Sequence, residues 1–156
     1  MTRRARPPLT TTRFGVLRTD AASVLTLVDG LVGFPGQRRF LLLDHAGRDD
    51  FGWLQSVDDG SLAFPVTDPR RHLPDCRYVF APADLAGLRL GSRALPDVLV
   101  TVSVTPDGGV RLHLSGPLVF NFRRRLGRQL VQSPVGDPIP VTLPCSFSPV
   151  EKAKAS

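Results

Sequence analysis

The sequence predicts an all-β fold: a small antiparallel β-barrel of short strands with one short helix. Its 15 prolines and 14 glycines divide 156 residues into short segments. Between them lie runs rich in Val, Leu, Phe and Thr that alternate with the period of two typical of strands. Many short antiparallel strands fit a sandwich or a barrel, and the barrel is favoured because a small, strand-rich domain must protect its sheet edges.

The clearest predicted element is a β-hairpin over residues 97–114. Every second position from Val98 to Val104 is valine, and the alternation of apolar and polar residues returns at 110–114. The intervening PDGG at 106–109 is typical of a turn, because glycine adopts positive φ without steric cost. We expect one face of this hairpin to be buried.

Weaker patterns of the same kind predict further strands and one helix. In one strand Pro65 lacks a backbone donor, so we expect that strand to lie at a sheet edge or to contain a bulge. The predicted helix has Pro82 in its first turn, Leu85 and Leu88 on one face, and about two turns in all. The further strands are placed near residues 12–18, 24–29, 39–44, 51–57, 61–67, 76–80, 117–122, 128–132 and 139–143.

The net charge of +6 would suit a nucleic-acid-binding protein, but its distribution argues against one. Residues 1–18 hold five arginines and no acid, whereas residues 19–150 hold equal numbers of arginine and aspartate. An excess of charge at the chain ends is typical of solvated arms. We therefore expect a basic flexible N-terminal arm at 1–11, a single barrel domain at 12–145 and a flexible C-terminal tail at 146–156.

The sequence favours a soluble, cytoplasmic protein with no membrane partner. No stretch approaches the roughly 18 apolar residues of a membrane-spanning helix. The basic N-terminus is not followed by the apolar run of a signal peptide. Cys76 and Cys145 lie far apart and outside any paired motif, so we expect neither a disulfide scaffold nor a cysteine zinc site.

A search for catalytic, cofactor-binding or metal-binding residues finds no candidates. His45, His72 and His113 have no second ligand at metal spacing. Adjacent aspartates, as at 49–50, would point to opposite faces of a strand and would not form a catalytic pair. No serine lies in the Gly-x-Ser-x-Gly context of a hydrolase nucleophile. We therefore expect a non-enzymatic protein without a cofactor.

The glycine-rich segment at 30–36, GLVGFPG, has a structural explanation. Its spacing does not match a phosphate-binding loop, and neither a Gly-Lys-Ser/Thr sequence nor a predicted helix follows it. We expect a tight bend between two strands that places Leu31 and Phe34 in the core.

A second segment, FNFRRR at 120–125, combines aromatic and basic residues that could stack bases and hold phosphates. Phe120 and Phe122 share one strand face, however, which is the pattern of a core strand with a solvated arginine turn after it. An alternative function therefore stays open: a small nucleic-acid-binding β-barrel that uses the turn from Arg123 to Arg128 and the basic N-terminal arm. We do not expect direct nucleic-acid binding.

Six segments, in this order and at this spacing, resemble the flagellar assembly factor family, FliW. The most diagnostic is the Leu-Gln-Ser block within 51–59. The resemblance covers about residues 12–135. The segments are LTLVDGLVGF at 25–34, FLLL at 40–43, FGWLQSVDD at 51–59, LAFPVTDP at 62–69, LSGPLVFN at 114–121 and GRQLV at 127–131.

The resemblance implies a cytoplasmic regulator that acts by binding proteins. Members of this family bind flagellin before its export and, alternatively, the translational regulator CsrA. When flagellin is secreted, the freed factor captures CsrA and relieves repression of flagellin mRNA. This competition between two partners requires binding surfaces and no catalytic chemistry.

Polar residues where predicted strands meet loops are the candidate contacts with a protein partner. Such positions combine a rigid scaffold with an exposed loop. Turn formation and backbone hydrogen bonding explain the same residue types equally well. The candidates are Gln55, Ser56, Asp58, Asp59, Asn121 and Gln129, of which Gln55, Asp58 and Asp59 are the first choice.

Overall fold

The computed structural model describes residues 8–18, 20–45, 47–136 and 142–143, and its dominant feature is a closed β-barrel. The strands are β1 Leu9–Thr11, β2 Gly15–Leu17, β3 Val24–Leu27, β4 Arg39–His45, β5 Arg48–Ser56, β6 Ala63–Thr67, β7 Asp97–Val104, β8 Val110–Leu112, β9 Leu118–Asn121, β10 Leu126–Gln129 and β11 Thr142–Leu143.

Seven strands close the barrel in the order β3, β4, β5, β6, β7, β9 and β10. The ring is completed by two pairings: β7 with β9, and β10 with β3. The β10–β3 pair is parallel, and the other pairs of the ring are antiparallel. The predicted all-β barrel is confirmed, with one parallel pair in a ring expected to be antiparallel throughout.

Strand β7 joins the barrel to the predicted hairpin. Its first residues pair with β9, its middle with β6, and its last three with β8. Val102 and Leu112 lie opposite each other and are both buried, as are Val100 and Val110, whereas Val104 opposite Val110 is 40% exposed. The hairpin and its buried face are therefore confirmed, and β11 extends this side of the sheet by pairing with β8.

The apolar side chains form three clusters. One fills the barrel, because β3, β4, β5, β6 and β9 all contribute to it: Leu25, Leu27, Leu31, Phe40, Leu54, Val66, Leu118 and Phe120. A second packs the opposite faces of β4 and β5 against β7, β8 and the β1–β2 hairpin, around Trp53. The third covers the outside of β9 and β10 with Leu88 and its neighbours.

Pro65 lies in an interior strand, contrary to the expectation of an edge or a bulge. It is opposite Trp53 on β5. On its other side β6 pairs with β7 only through Val66 and Thr67. The ladder to β7 therefore begins one residue after the proline, which lets a residue without an N–H donor occupy a central strand.

The predicted helix is only a 3₁₀ turn, Pro82–Leu85. Gly87 and Arg89 have φ of +85° and +56°, values that an α-helix cannot contain. The same bends turn Leu88 inward, where it is fully buried. In the part of the chain that the structure describes, no helix is long and apolar enough to cross a membrane.

The predicted strand at 76–80 is an extended segment outside the sheets. Tyr78 donates its hydroxyl hydrogen to Leu114 O at 2.5 Å, and Val135 N donates to Arg77 O at 2.8 Å. Phe80 packs on the outer cluster. The alternation of residues here reflects a segment laid over the barrel wall rather than a strand paired within it.

Other predicted boundaries shift by a few residues. The strand predicted at 12–18 is a tight turn followed by β2, and β1 lies within the predicted arm at 1–11. The strand predicted at 128–132 is β10, which begins earlier, at Leu126. Residues 1–7, Cys145 and the tail at 146–156 lie outside the described residues, as do residues 139–141 of the last predicted strand.

Candidate protein-binding surface

The buried side-chain amide of Gln55 holds the β5–β6 loop, residues 57–62, through hydrogen bonds. Gln55 is fully buried, and its Nε2 donates to Ser56 O at 3.0 Å, Leu62 O at 3.1 Å and Gly60 O at 3.3 Å. Most buried polar groups are hydrogen-bonded, and here the Nε2 is, whereas Oε1 of the same amide is buried without a partner among the described residues. Gln55 therefore ties the two ends of the loop together, and its burial favours a positioning role over direct contact with a partner.

Ser56, the last residue of β5, holds the start of the same loop. It is fully buried, and its Oγ accepts hydrogen bonds from the backbone N–H groups of Asp58 and Asp59, at 3.2 and 3.0 Å. The same hydroxyl donates to Gln37 Oε1 at 2.6 Å. A hydroxyl at this position supplies acceptors for an otherwise irregular backbone, so Ser56 also positions the loop.

Asp58 and Asp59 carry the acidic charge of this loop. Arg39 contacts both carboxylate oxygens of Asp58, with its Nε 3.2 Å from Oδ2, and this hydrogen bond and charge raise the pKa of Arg39. Asp59 Oδ1 accepts from the hydroxyl and the N–H of Ser61 at 2.6 and 2.9 Å, and these bonds lower the pKa of Asp59. The lowered pKa keeps the Asp59 carboxylate ionised near neutral pH.

The bend at 30–36 adds apolar surface at the same end of the barrel. Leu31 is buried as expected, whereas Phe34 is 39% exposed and packs edge-on against Phe64 with ring centroids 5.3 Å apart. The prediction that Phe34 enters the core is therefore wrong. Val32 is 66% exposed. An isolated glycine-rich bend does not reveal in sequence which of its apolar residues stays outside.

Gln129 fastens this bend to the barrel. Its Oε1 accepts from Val32 N at 2.8 Å, and its Nε2 donates to Gly116 O at 3.1 Å. We call this part of the molecule the Asp58 end: the end of the barrel at which β5 and β10 finish and β4 begins. Five of the six candidate residues meet there, and Asn121 does not.

Asn121 lies at the opposite end, where β9 finishes and β10 begins. Its Nδ2 donates to Leu88 O at 2.8 Å and Arg89 O at 3.3 Å. The side chain thus holds the 3₁₀ segment and the residues after it against the barrel wall. These bonds favour a structural role for Asn121.

The arginine turn begins directly after Asn121. Arg123, Arg124 and Arg125 are exposed, whereas Arg128 binds Asp29 Oδ2 at 2.9 Å on the barrel wall. Phe120 is fully buried, and Phe122 stacks on it at 4.9 Å. The predicted core face with a solvated turn after it is confirmed, and Arg128 belongs to the wall.

The Asp58 end combines charged and apolar side chains. It carries Asp59 and the Arg39–Asp58 pair on and beside a loop held by buried side chains, together with exposed Val32 and Phe34. Among the described residues, no group of three or more His, Cys, Asp or Glu side chains is placed to hold a metal ion. A rigid polar loop beside apolar side chains is a common composition for protein recognition.

Comparison with known proteins gives a consistent result. The family model described as FliW protein matches residues 8–144. A flagellar assembly factor FliW of Magnetococcus marinus is 34% identical over 123 residues, which are 77% of this chain and 75% of that protein. One of Geotalea uraniireducens is 35% identical over 124 residues, 79% of this chain and 76% of that protein. A crystal structure of the flagellar assembly factor FliW superposes with a TM-score of 0.73 at 24% identity, covering 80% of this chain and 88% of that one, and supports the fold.

Proposed function

Because the chain belongs to the FliW protein family, we propose that it is a flagellar assembly factor that binds flagellin and antagonises the translational regulator CsrA in the cytoplasm. In this role the protein acts only through binding. Free flagellin occupies it while subunits accumulate, and export of flagellin releases it to capture CsrA. Capture of CsrA relieves the repression of flagellin mRNA.

The observation that carries the choice of surface is the construction of the β5–β6 loop. Gln55 and Ser56 form hydrogen bonds with the loop backbone, and the charged groups of the loop are Asp59 and Asp58, the latter paired with Arg39. A loop already held in one conformation loses little further entropy when a partner binds. Its negative charge would also steer a basic partner toward this end.

The proposed switch is a competition for one surface. If both partners use the Asp58 end, the occupancy of each depends on its concentration and its affinity, and binding of one excludes the other. The exposed side chains of Val32 and Phe34 supply apolar area beside the acidic loop. Apolar anchors with polar groups around them are the usual source of affinity in protein interfaces.

The test is calorimetric titration of CsrA from the source organism into wild type and the Asp58→Lys/Asp59→Lys double variant. We expect CsrA binding to weaken by about tenfold or more, the effect of losing roughly 1.4 kcal/mol of interaction. The melting temperature should change little, because exposed pairs such as Arg39–Asp58 contribute only about 0–1 kcal/mol.

Asp75→Lys is the matched control, since Asp75 is an exposed aspartate outside this loop. It changes the net charge by the same amount per site and should leave CsrA affinity nearly unaltered. Equal affinity of the double variant and wild type would remove the β5–β6 loop from the interface. If Asp75→Lys weakened CsrA binding as much as the double variant does, the loss of affinity would be an effect of net charge and not of the β5–β6 loop.

A further inference from the structure

An open cavity lies at the opposite end of the barrel from Asp58. There a cavity of about 420 Å³ opens between the start of β3, the middle of β4 and the β9–β10 turn. β3 pairs with β4 only as far as Val24 and Leu41, so the chain before β3 leaves the sheet and the seam widens. The cavity is lined by Arg18, Asp20, Ala22, Ser23, Leu25, Leu41, Leu42, Leu43, Phe122 and Arg125.

The apolar floor that this cavity offers to a ligand consists of Leu42 and Phe122, its partly exposed large apolar side chains. Leu25, Leu41 and Leu43 also line the cavity but are at most 5% exposed, and Leu41 and Leu43 pack in the cluster around Trp53. Phe122 and Leu42 are only partly buried, although both pack on the barrel core. One face of Phe122 is already stacked on Phe120, with the rings 10° from parallel. The floor therefore suits a branched aliphatic side chain better than a stacked base.

The rim of the cavity is basic. Arg18 and Arg125 line it, and Arg123 and Arg124 are exposed in the same turn. The acids nearby are fewer: Asp20 lines the cavity, and Asp44 follows two residues after Leu42 on β4. Positive charge around an apolar depression favours a ligand that carries both negative charge and an apolar group.

The turn that carries these arginines is held in a single conformation. Arg124 N donates to Asn121 O and Arg125 N to Phe122 O, both at 3.1 Å, while Arg125 O accepts from Thr26 N at 2.9 Å. Arg125 has a φ of +55°, a conformation that is uncommon outside glycine. The guanidinium groups are therefore presented from a fixed backbone at the mouth of the cavity.

We propose that this cavity binds an acidic segment of a protein partner, with one aliphatic side chain seated against Leu42 and Phe122 and its carboxylates at the arginine turn. The inference goes beyond the proposed function, because it assigns a second, basic surface. It does not rest on which protein binds at the Asp58 end.

The test uses a synthetic acetylated peptide, Glu-Glu-Leu-Glu-Glu, titrated into ¹⁵N-labelled protein and followed by amide chemical shifts. We expect saturable shifts confined to the cavity lining, in particular at Ser23, Leu42 and Phe122. The variant Arg124→Gln/Arg125→Gly removes two charges, and glycine accepts the positive φ of position 125 without strain. Its dissociation constant should rise roughly three- to thirtyfold, the range for two exposed charge pairs.

Two controls separate this site from general attraction to positive charge. Arg111→Gln removes one exposed arginine from β8 and should leave peptide binding within about twofold of wild type. The peptide with glycine in place of leucine should bind more weakly, because it cannot use the apolar floor.

Several results would overturn the proposal. One is the lack of saturable shifts at millimolar peptide, and another is equal binding of the peptide with glutamine in place of every glutamate. A third is a loss of peptide affinity in Arg111→Gln as large as the loss in Arg124→Gln/Arg125→Gly. Tighter binding of oligouridylate than of the peptide, with loss in Arg124→Gln/Arg125→Gly, would instead identify the turn as a nucleic-acid contact.

Discussion

At the scale of single residues, the buried polar side chains of β5 explain why an irregular loop has a defined shape. Gln55 and Ser56 are both fully buried, yet each directs its hydrogen bonds at loop backbone. Loss of such bonds removes part of the hydrogen bonding that holds a half-buried loop backbone in place. The charges at Asp58 and Asp59 are therefore positioned by residues that a partner would not touch.

Replacing Gln55 with leucine tests this arrangement at nearly constant volume. We expect Gln55→Leu to lower the free energy of unfolding by about 0.5–1.5 kcal/mol, because Gly60 O and Leu62 O each lose one of two donors and keep the backbone donors Thr12 N and Ser56 N. Amide exchange of residues 57–62 should accelerate more than exchange in β7. Urea denaturation and hydrogen exchange measure both, with Asp58→Asn as a surface control that should change stability by less than about 1 kcal/mol. Unchanged stability of Gln55→Leu would contradict the positioning role.

The residue types at this end could be predicted from sequence, but their individual roles could not. A glutamine at a strand end looks the same whether its amide faces solvent or turns back onto the following loop. That choice depends on where the carbonyls of Gly60 and Leu62 lie, which is a property of the folded loop. Asp58 and Asp59 were easier to interpret, because adjacent carboxylates are costly to bury.

At the scale of elements, the β1–β2 hairpin is locked onto the β5–β6 loop through close backbone contact. Thr12 N donates to Gly60 O at 3.0 Å. A Cβ added at Gly60 would lie 2.1 Å from Thr10 O, well inside van der Waals contact. Only glycine permits this approach, so the hairpin and the acidic loop are mechanically coupled.

Gly60→Ala should therefore loosen both elements. We expect a loss of roughly 1–3 kcal/mol in unfolding free energy, the usual cost of overpacking, and faster amide exchange in Leu9–Thr11. Gly36→Ala is the matched control, because a Cβ there meets no atom within 4 Å, and it should fall within about 0.5 kcal/mol of wild type. Thermal denaturation that ranks the two variants equally would contradict the coupling.

Strands were predicted correctly where the alternation of apolar and polar residues came from pairing within a sheet. The prediction failed where the same alternation came from a segment that packs over the outside of the barrel. The β7–β8 hairpin carries both its turn residues and its buried face in the local sequence. Residues 76–80 also alternate, yet they pair with no strand of the described sheets and instead lie against the outside of the barrel. Gly87 and Arg89 have positive φ on either side of the buried Leu88. Local sequence does not show these two values, so it could not distinguish an α-helix from a 3₁₀ turn followed by irregular backbone.

At the scale of the whole molecule, closure of the barrel places the acidic β5–β6 loop and the arginine turn at opposite ends. The β10–β3 pair fixes this arrangement, because its parallel register puts the β9–β10 turn at the end away from Asp58. Local sequence cannot specify a parallel contact between strands about 100 residues apart. The barrel class followed from strand number and length, whereas the path of closure required the three-dimensional structure.

The most direct test of the proposed partner switch is size-exclusion chromatography of the protein mixed with CsrA and monomeric flagellin from the source organism. The account predicts two binary complexes, with CsrA released in proportion to added flagellin and no peak that contains all three proteins. A stable ternary complex would contradict a shared surface, and failure of either partner to co-elute with the protein would contradict its place in the switch.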